Sequence, residues 1–391
     1  LANIVQFEVN GLGGRKKSIK RSLRETTVFW GVNGSGKTSL LKILHSALLD
    51  DATPLIRVPF TSARVVIDAG GDVFMREITK RELRSPSVVR RLERARELAM
   101  ARGQVYYGDL GEDINAALPW NTTGNGEPEE QEGPIQHGYL PISRVSETRR
   151  RGPRGSRPTM ELVDEASFDK LFAGEIQRLW SDYNARALAQ ISITQELGLA
   201  NVFNSVLAEG RGKRHLPEEM DFSEAFPLIK AFFSGQRMGR MVNIPESTLH
   251  KNYADSQLVR QVVTDIATVQ QGIEKAQEPQ RKIEQLLSDL YSGGKEVTLQ
   301  GRAVSVSANG EAIPLESLSS GEKQMLQLLL ETLAAGNAPV IIDEPELSLH
   351  VDWQRRLVDC MRIVNPDAQL IMATHSPEVM AFLPDSMISE L

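Results

Sequence analysis

The sequence predicts an α/β fold divided by a helical insert, and three observations predict it. Gly31-Val32-Asn33-Gly34-Ser35-Gly36-Lys37-Thr38 fits G-x-x-x-x-G-K-[ST] and stands between an apolar run, Thr27-Val28-Phe29-Trp30, and a helical start, Ser39-Leu40-Leu41-Lys42-Ile43-Leu44. Two further apolar runs, Val340-Ile341-Ile342 and Leu370-Ile371-Met372-Ala373, end in Asp343-Glu344-Pro345-Glu346 and Thr374-His375-Ser376-Pro377. Between these strand-rich ends, residues 160–291 carry apolar side chains at helical spacing.

The first motif is a phosphate-binding loop, and its chemistry is local. Glycines let successive backbone N–H groups turn inward toward phosphate oxygens. The following helix adds its positive end. Lys37 supplies a full charge to the β- and γ-phosphates of ATP, and the Thr38 hydroxyl is a ligand for Mg²⁺. The nucleotide-contacting candidates are Gly31, Asn33, Gly34, Ser35, Gly36, Lys37, Thr38 and Ser39.

Composition narrows the class. The chain has 391 residues, enough for two or three structural units. Charged residues are 25 % and apolar ones 41 %, as in ordinary globular domains. A net charge of −6 argues against a generally basic surface but leaves room for a local basic stripe. Cys360 is the only cysteine, so no disulfide and no cysteine-built zinc site is expected. No apolar run approaches the ~20 residues of a membrane helix, and the first residues lack a signal-peptide layout. A cytoplasmic protein without a membrane partner is expected.

In chain order, Val5, Phe7 and Val9 alternate with Gln6 and Glu8, which predicts a half-buried strand with those three on its inner face. Gly11 to Gly14 turn the chain into a second strand carrying Arg15, Lys16, Lys17, Lys20 and Arg21. These cations read either as a solvated edge that resists pairing or as a nucleotide or nucleic-acid contact. A hairpin is expected from Ala63–Ile67 and Val73–Ile78 around Asp68-Ala69-Gly70-Gly71. Residues 85–102 read as a helix with five arginines, Arg90 to Arg102, either solvated or facing phosphate. Residues 121–158 contain an acidic patch (Glu127, Glu129, Glu130, Glu132), a strand at Tyr139–Val145, and a loop with Arg149, Arg150, Arg151, Arg154 and Arg157 among Gly and Pro. That loop is either plainly solvated or a non-sequence-specific DNA or RNA contact.

The insert predicts a helix from Leu171 to Tyr183, a shorter one from Phe222 to Phe233, and one from Leu258 to Ile273 that Pro279 interrupts. Segments this short are not expected to form a long arm. Strands resume at Glu296–Leu299 and Ala303–Ser307, with Asn309-Gly310 as a turn. The expected organisation is an N-terminal lobe at 1–158, a helical lobe at 159–292 and a C-terminal lobe at 293–391.

Leu318-Ser319-Ser320-Gly321-Glu322 opens another helix, a second anion site by its geometry. In open α/β sheets ligands bind beyond the carboxyl ends of the strands. The phosphate loop, Asp343-Glu344 and His375 all stand at such ends, so they are expected to converge on one nucleotide.

The set of phosphate loop, LSSGE, IIDEPE and THSP resembles ABC-type ATPases, within them the SMC, RecF and OLD-like branch. The resemblance covers about residues 30–50 and 315–380. It implies a two-lobed ABC-type head, a P-loop NTPase with a helical insert, in which two heads clamp two ATP molecules. By that resemblance Asp343 shapes the Mg²⁺ site, Glu344 polarises the attacking water, and His375 is the switch histidine near the γ-phosphate. Ser319, Ser320, Gly321 and Glu322 form the signature, reaching the nucleotide of the other head. Catalysis is then expected from Glu344, His375 and Lys37.

The sequence departs from that pattern in three places. The span from Lys37 to Ser319 is far longer than a transporter head needs. His350 stands where such heads carry an aspartate, and Leu347-Ser348-Leu349-His350 is similar to OLD-like and defence-associated ATPases. No convincing Q-loop glutamine is found; Tyr139 to Arg144 lies where that loop belongs, which places Ser143 and Arg144 near the metal or interface. OLD proteins continue into a Toprim nuclease, and no acidic cluster of that kind follows His375, so an associated nuclease is expected on another chain. This layout is similar to stand-alone antiphage ATPases of the Septu, retron-associated and PARIS types. The expected function is an ATP-hydrolysing subunit that forms a homodimer or higher homo-oligomer around ATP and controls a separate nucleic-acid-directed effector. A RecF-like clamp holding duplex DNA directly and an ATP-dependent sensor scaffold with little turnover are the alternatives.

Overall fold

The computed structural model describes residues 2–86, 88–90, 118–124, 133–141, 165–207, 221–235, 245–291 and 293–391. Strand β1 (Ala2–Asn10), β2 (Ile19–Ser22), β3 (Thr26–Trp30) and helix α1 (Lys37–Leu49) open the chain. Then come β4 (Ser62–Ala69), β5 (Val73–Thr79), the short α2 (Lys80–Leu83), β6 (Asn121–Gly124) and β7 (Gly138–Leu140). The helical insert holds α3 (Glu165–Leu207), α4 (Phe222–Gly235), α5 (Glu246–Asp255) and α6 (Gln257–Leu290). Strands β8 (Lys295–Gln300), β9 (Ala303–Ala308) and β10 (Glu311–Ile313) follow. The chain closes with α7 (Ser320–Ala335), β11 (Val340–Asp343), α8 (Val351–Val364), β12 (Leu370–Thr374), α9 (Pro377–Met380) and β13 (Ile388–Glu390).

The expected α/β class is the observed one. A parallel sheet runs in the order β13-β3-β12-β11-β7, and an antiparallel sheet in the order β2-β1-β4-β5-β6. Parallel strands are covered on both faces and therefore read as unbroken apolar runs. Residues Val340 to Asp343 and Leu370 to Thr374 are all buried. One core, with Phe7, Phe29, Leu41, Leu44, Val65, Ile341 and Ile371, includes residues of both sheets and of α1.

The first strand corrects the alternation. Ile4, Phe7 and Val9 point inward, while Val5 is 41 % exposed. A bulge between Ile4 and Gln6 shifts the register against β4. Beside the bulge, the side-chain amide of Gln369 accepts from the Ile4 N–H at 2.8 Å and donates to the Ile4 carbonyl at 2.8 Å. The glutamine thus satisfies the peptide groups of Ile4, which stays paired with Ile67, while Val5 is the extra residue of the bulge. The hairpin stands as expected, with Gly70 and Gly71 at positive φ.

The insert corrects the expectation of short helices. Helix α3 spans 43 residues and α6 spans 34, with Pro279 inside it. At 1.5 Å per residue, α3 is about 65 Å long. An internal proline costs about 3 kcal/mol, and the apolar stripe on both sides of it, from Val263 through Ile283 to Leu287, offsets that by burial. The chain forms two compact units, one of Leu1–Trp180 with Ile283–Leu391, the other of Ser181–Lys282. The limits of these units fall within α3 and α6. In the second unit α3 and α6 touch closely through glycines. A Cβ on Gly198 would come 1.9 Å from Val269, and one on Gly272 would come 2.8 Å from Thr194. The pairing of 198 with 269 and 194 with 272 makes the two helices antiparallel there.

Arg91 to Arg102, the acidic patch, Ser143, Arg144 and the Arg149–Arg157 loop lie outside the described residues. Among the described residues no helix is long and apolar enough to cross a membrane.

Candidate nucleotide site

Three adjacent parallel strands build the site. The register places Asp343 beside Ala373 and Thr374 beside Trp30. The chain therefore leaves β3, β12 and β11 at one sheet edge, and the next residues are Gly31, His375 and Glu344. Neighbouring strands lie about 4.8 Å apart, so three exits from adjacent strands fall within about 10 Å. The convergence expected from the motifs is met in space.

The phosphate loop leaves β3 and enters α1 at Gly36, the N-cap, with φ 100°. Gly34 has φ 80°. Gly31 is needed for closeness rather than for φ: a Cβ there would come 2.9 Å from Ser35 Oγ and 2.8 Å from the Leu391 carbonyl. Val32, Asn33 and Gly34 are exposed at the tip, while Thr38 and Ser39 are half-buried on the first turn. The Ser35 hydroxyl is buried and has no hydrogen-bond partner.

Lys37 is 4 % exposed. Its ammonium donates to the Gly31 carbonyl at 2.9 Å and lies 2.7 Å from Nε2 of His375. The same Nε2 is 3.0 Å from Glu344 Oε1. Burial holds Lys37 below its ordinary range, and Glu344, Asp343 and Glu346 oppose that shift. Burial also lowers His375, the Lys37 charge adds to this, and Glu346 and the Gly31 carbonyl counter it.

Asp343 is fully buried, and neither of its carboxylate oxygens has a hydrogen-bond partner of full geometry. Burial pushes its carboxyl up to about 6, against the neighbouring Thr38 hydroxyl, Lys37 and Lys42. An orphaned buried carboxylate facing a threonine hydroxyl fits a divalent cation, and an orphaned Ser35 hydroxyl on an N–H-rich loop fits a phosphate oxygen. Thr38 and Asp343 are the residues that would hold Mg²⁺. Magnesium takes few protein ligands and leaves the rest to water and phosphate. Glu344 has φ 53°, unusual outside glycine. That turn directs its side chain back over β12 to His375.

The signature stands at the start of α7. Ser319 is its N-cap, and with Glu322 it forms a capping box. The Glu322 carboxylate takes the Ser319 N–H at 2.8 Å and Lys295 Nζ at 2.8 Å, and its backbone carbonyl accepts from the Tyr291 hydroxyl at 2.7 Å. Burial pushes the Glu322 carboxyl up, and the bonds from Lys295 and Ser319 together outweigh it and hold the group below its ordinary value. Glu322 is buried and engaged in shaping the loop, whereas Ser319 and Ser320 are exposed. Gly321 permits a close approach: a Cβ would come 2.7 Å from the Ser348 carbonyl. His350 caps α8 by accepting from the Asp352 N–H at 3.4 Å. The sequence reading missed Glu346, which lies behind His375. Its signal was present as the last residue of the acidic run at the end of β11.

Fold and site together define a P-loop ATPase domain on an α/β scaffold. A family model described as "AAA domain, putative AbiEii toxin, Type IV TA system" matches residues 215–381. That span includes the signature, Asp343-Glu344 and His375, and the phosphate loop precedes it. A retron Vc95 probable ATPase of Vibrio cholerae serotype O1 biovar El Tor is 33 % identical over 98 residues. The match takes in 22 % of this chain and 19 % of that protein, so it spans about a fifth of the relative's length. Among solved structures, an Smc head domain with an extended coiled coil from Pyrococcus furiosus, bound to the C-terminal domain of ScpA, aligns over 97 % of this chain and 92 % of that one. Its TM-score is 0.42 at 12 % identity. An Smc head domain with a coiled coil and joint from Pyrococcus yayanosii aligns over 97 % and 93 %, with a TM-score of 0.40 at 13 % identity.

Proposed function

We propose that this chain hydrolyses ATP, pairs with a second copy around the nucleotide, and through that closure governs a separate nucleic-acid-directed effector in antiphage defence. The observation that supports hydrolysis is the placing of His375 in contact with both Lys37 and Glu344 at one sheet edge, beside the orphaned carboxylate of Asp343. The reaction is phosphoryl transfer to water, in which the protein contributes position and charge. Bound Mg²⁺ supplies charge neutralisation at the phosphates. Lys37 binds the β- and γ-phosphates, the loop amides and Ser35 orient them, Glu344 aligns and deprotonates the water, and His375 donates toward the γ-phosphate. The exposed Ser319 and Ser320 are available to a second head. The defence context draws on the AbiEii-type description of the matching family and on the retron relative.

ATP turnover and binding by the purified chain test this. Wild type should hydrolyse ATP in a Mg²⁺-dependent manner. Glu344→Gln should bind ATP and keep it, with turnover down about 100-fold or more, the scale of losing a positioned base. Lys37→Ala should lose binding. Wild-type turnover in Glu344→Gln would remove that residue from the chemistry.

A further inference from the structure

We propose that Glu346 is a positioning residue, whose carboxylate clamps the Thr374–Ser376 strap and so fixes the imidazole of His375 between Lys37 and Glu344. The proposal rests on the ATPase reading and adds a residue to it. One oxygen carries the clamp. Glu346 Oε1 accepts from Thr374 Oγ1 at 2.6 Å, from the His375 N–H at 2.8 Å and from the Ser376 N–H at 3.0 Å. Thr374 Oγ1 itself accepts from the Ser376 N–H at 2.9 Å. Three consecutive residues thus converge on one charged acceptor, and such bonds are stronger than neutral ones.

Helix α8 holds the strap from its other side. Gln354 Oε1 accepts from Ser376 Oγ at 2.7 Å, while its amide donates to the Leu349 carbonyl at 2.9 Å. The turn after β11 and the turn after β12 are therefore one hydrogen-bonded body. Glu346 is 9 % exposed and Thr374 is fully buried, so little water competes for these bonds.

The second oxygen argues against a merely structural acid. Glu346 Oε2 is buried without a hydrogen-bond partner. A carboxylate placed only to hold a turn is expected to satisfy both oxygens. The Glu346 charge instead acts on Lys37, Asp343 and His375. It stands behind the imidazole whose other neighbours are Lys37, Glu344 and the Gly31 carbonyl.

The test compares ATP turnover and fluorescent-ATP-analogue binding in wild type, Glu346→Ala, Glu346→Gln, Thr374→Val, His375→Ala and the Glu346→Ala/His375→Ala double variant. Glu346→Ala should lower kcat at least tenfold with nucleotide affinity within threefold of wild type. Glu346→Gln should recover part of that loss, because its amide oxygen accepts the same three donors while the charge is gone. The double variant should be no slower than His375→Ala, since residues acting as a unit are non-additive. Effects that multiply in the double variant, or wild-type kcat in Glu346→Ala, overturn the proposal. Should Glu346→Ala fail to fold, Thr374→Val decides: it should lose kcat severalfold alone and nothing further beside His375→Ala, and wild-type turnover in it overturns the clamp. Failure of the ATPase reading shows separately, as absent wild-type turnover or turnover that survives Lys37→Ala. The clamp is then judged by hydrogen exchange at the His375 and Ser376 amides, which should be protected in wild type; fast exchange there overturns it.

Discussion

The Lys37 ammonium lies 2.7 Å from Nε2 of His375, and that same nitrogen lies 3.0 Å from Glu344 Oε1. Nε2 accepts from the ammonium when the ring is unprotonated there, or donates to the carboxylate when it carries a proton, and it cannot do both at once. Burial and the Lys37 charge favour the neutral ring, which makes the lysine its partner at neutral pH. Acidification reverses the choice and gives Nε2 a proton to donate to Glu344.

Titration of the His375 ring by NMR checks this. Its midpoint should fall below 6.5, the ordinary value, and Lys37→Met should raise it, because one of the two influences that depress it is gone. An unchanged or lower midpoint in Lys37→Met would show that the contact is not made in solution.

Asp343 makes a stability prediction of opposite sign to that of most carboxylates. Its folded value is raised from 3.8 to about 6 by burial. Between those two values the folded state holds more protons than the unfolded one, so its contribution falls as pH rises through that window and stays low above it. Asp343→Asn should therefore gain on wild type across that window, by about 1–3 kcal/mol at pH 7, while losing Mg²⁺-dependent nucleotide binding. Chemical denaturation of both proteins at pH 4 and pH 7, without nucleotide, reads the difference. A variant that loses ground between those pH values contradicts the burial argument.

Ser319→Arg puts bulk and charge where a second head's γ-phosphate is expected. It also removes a helix cap, which costs about 1 kcal/mol, so a melting temperature a few degrees lower is part of the expectation. ATP binding by the monomer should persist and cooperative hydrolysis should vanish. Mixing with Lys37→Ala should restore at most one of two composite sites. Unchanged turnover would mean that one chain completes the site.

Reversing Arg149, Arg150 and Arg151 to Glu should weaken nucleic-acid-dependent function and spare basal ATP turnover. The defect should shrink at high salt, where screening already weakens phosphate contacts. The isolated chain should cut neither DNA nor RNA with ATP and Mg²⁺. Full biological activity of the triple variant assigns that loop to plain solvation. Nuclease activity lost on mutating one of this chain's own carboxylates overturns the separate-effector layout.

What consecutive residues dictate was legible from the start. A phosphate loop, a helix start at Leu318–Glu322, and a glycine turn at Gly70-Gly71 each depend on residues within a few positions of one another. Fully buried parallel strands announce themselves as apolar runs, so Ile341 and Ile371 were recognisable as core. The sequence by itself thus determined that the phosphate loop, Asp343-Glu344 and His375 leave strand ends. Long-range pairing decided the rest. Gln369 reaches Ile4 across most of the chain, and the bulge after Ile4 leaves Val5 exposed. Burial on both sides of Pro279 carries α6 through a residue that would stop an isolated helix. Only the order β3-β12-β11 brings His375 to Lys37, and only the turn after β11 puts Glu346 under the His375 strap. Such contacts depend on which strands become neighbours, and that is set by the burial of the whole core rather than by any stretch of adjacent residues.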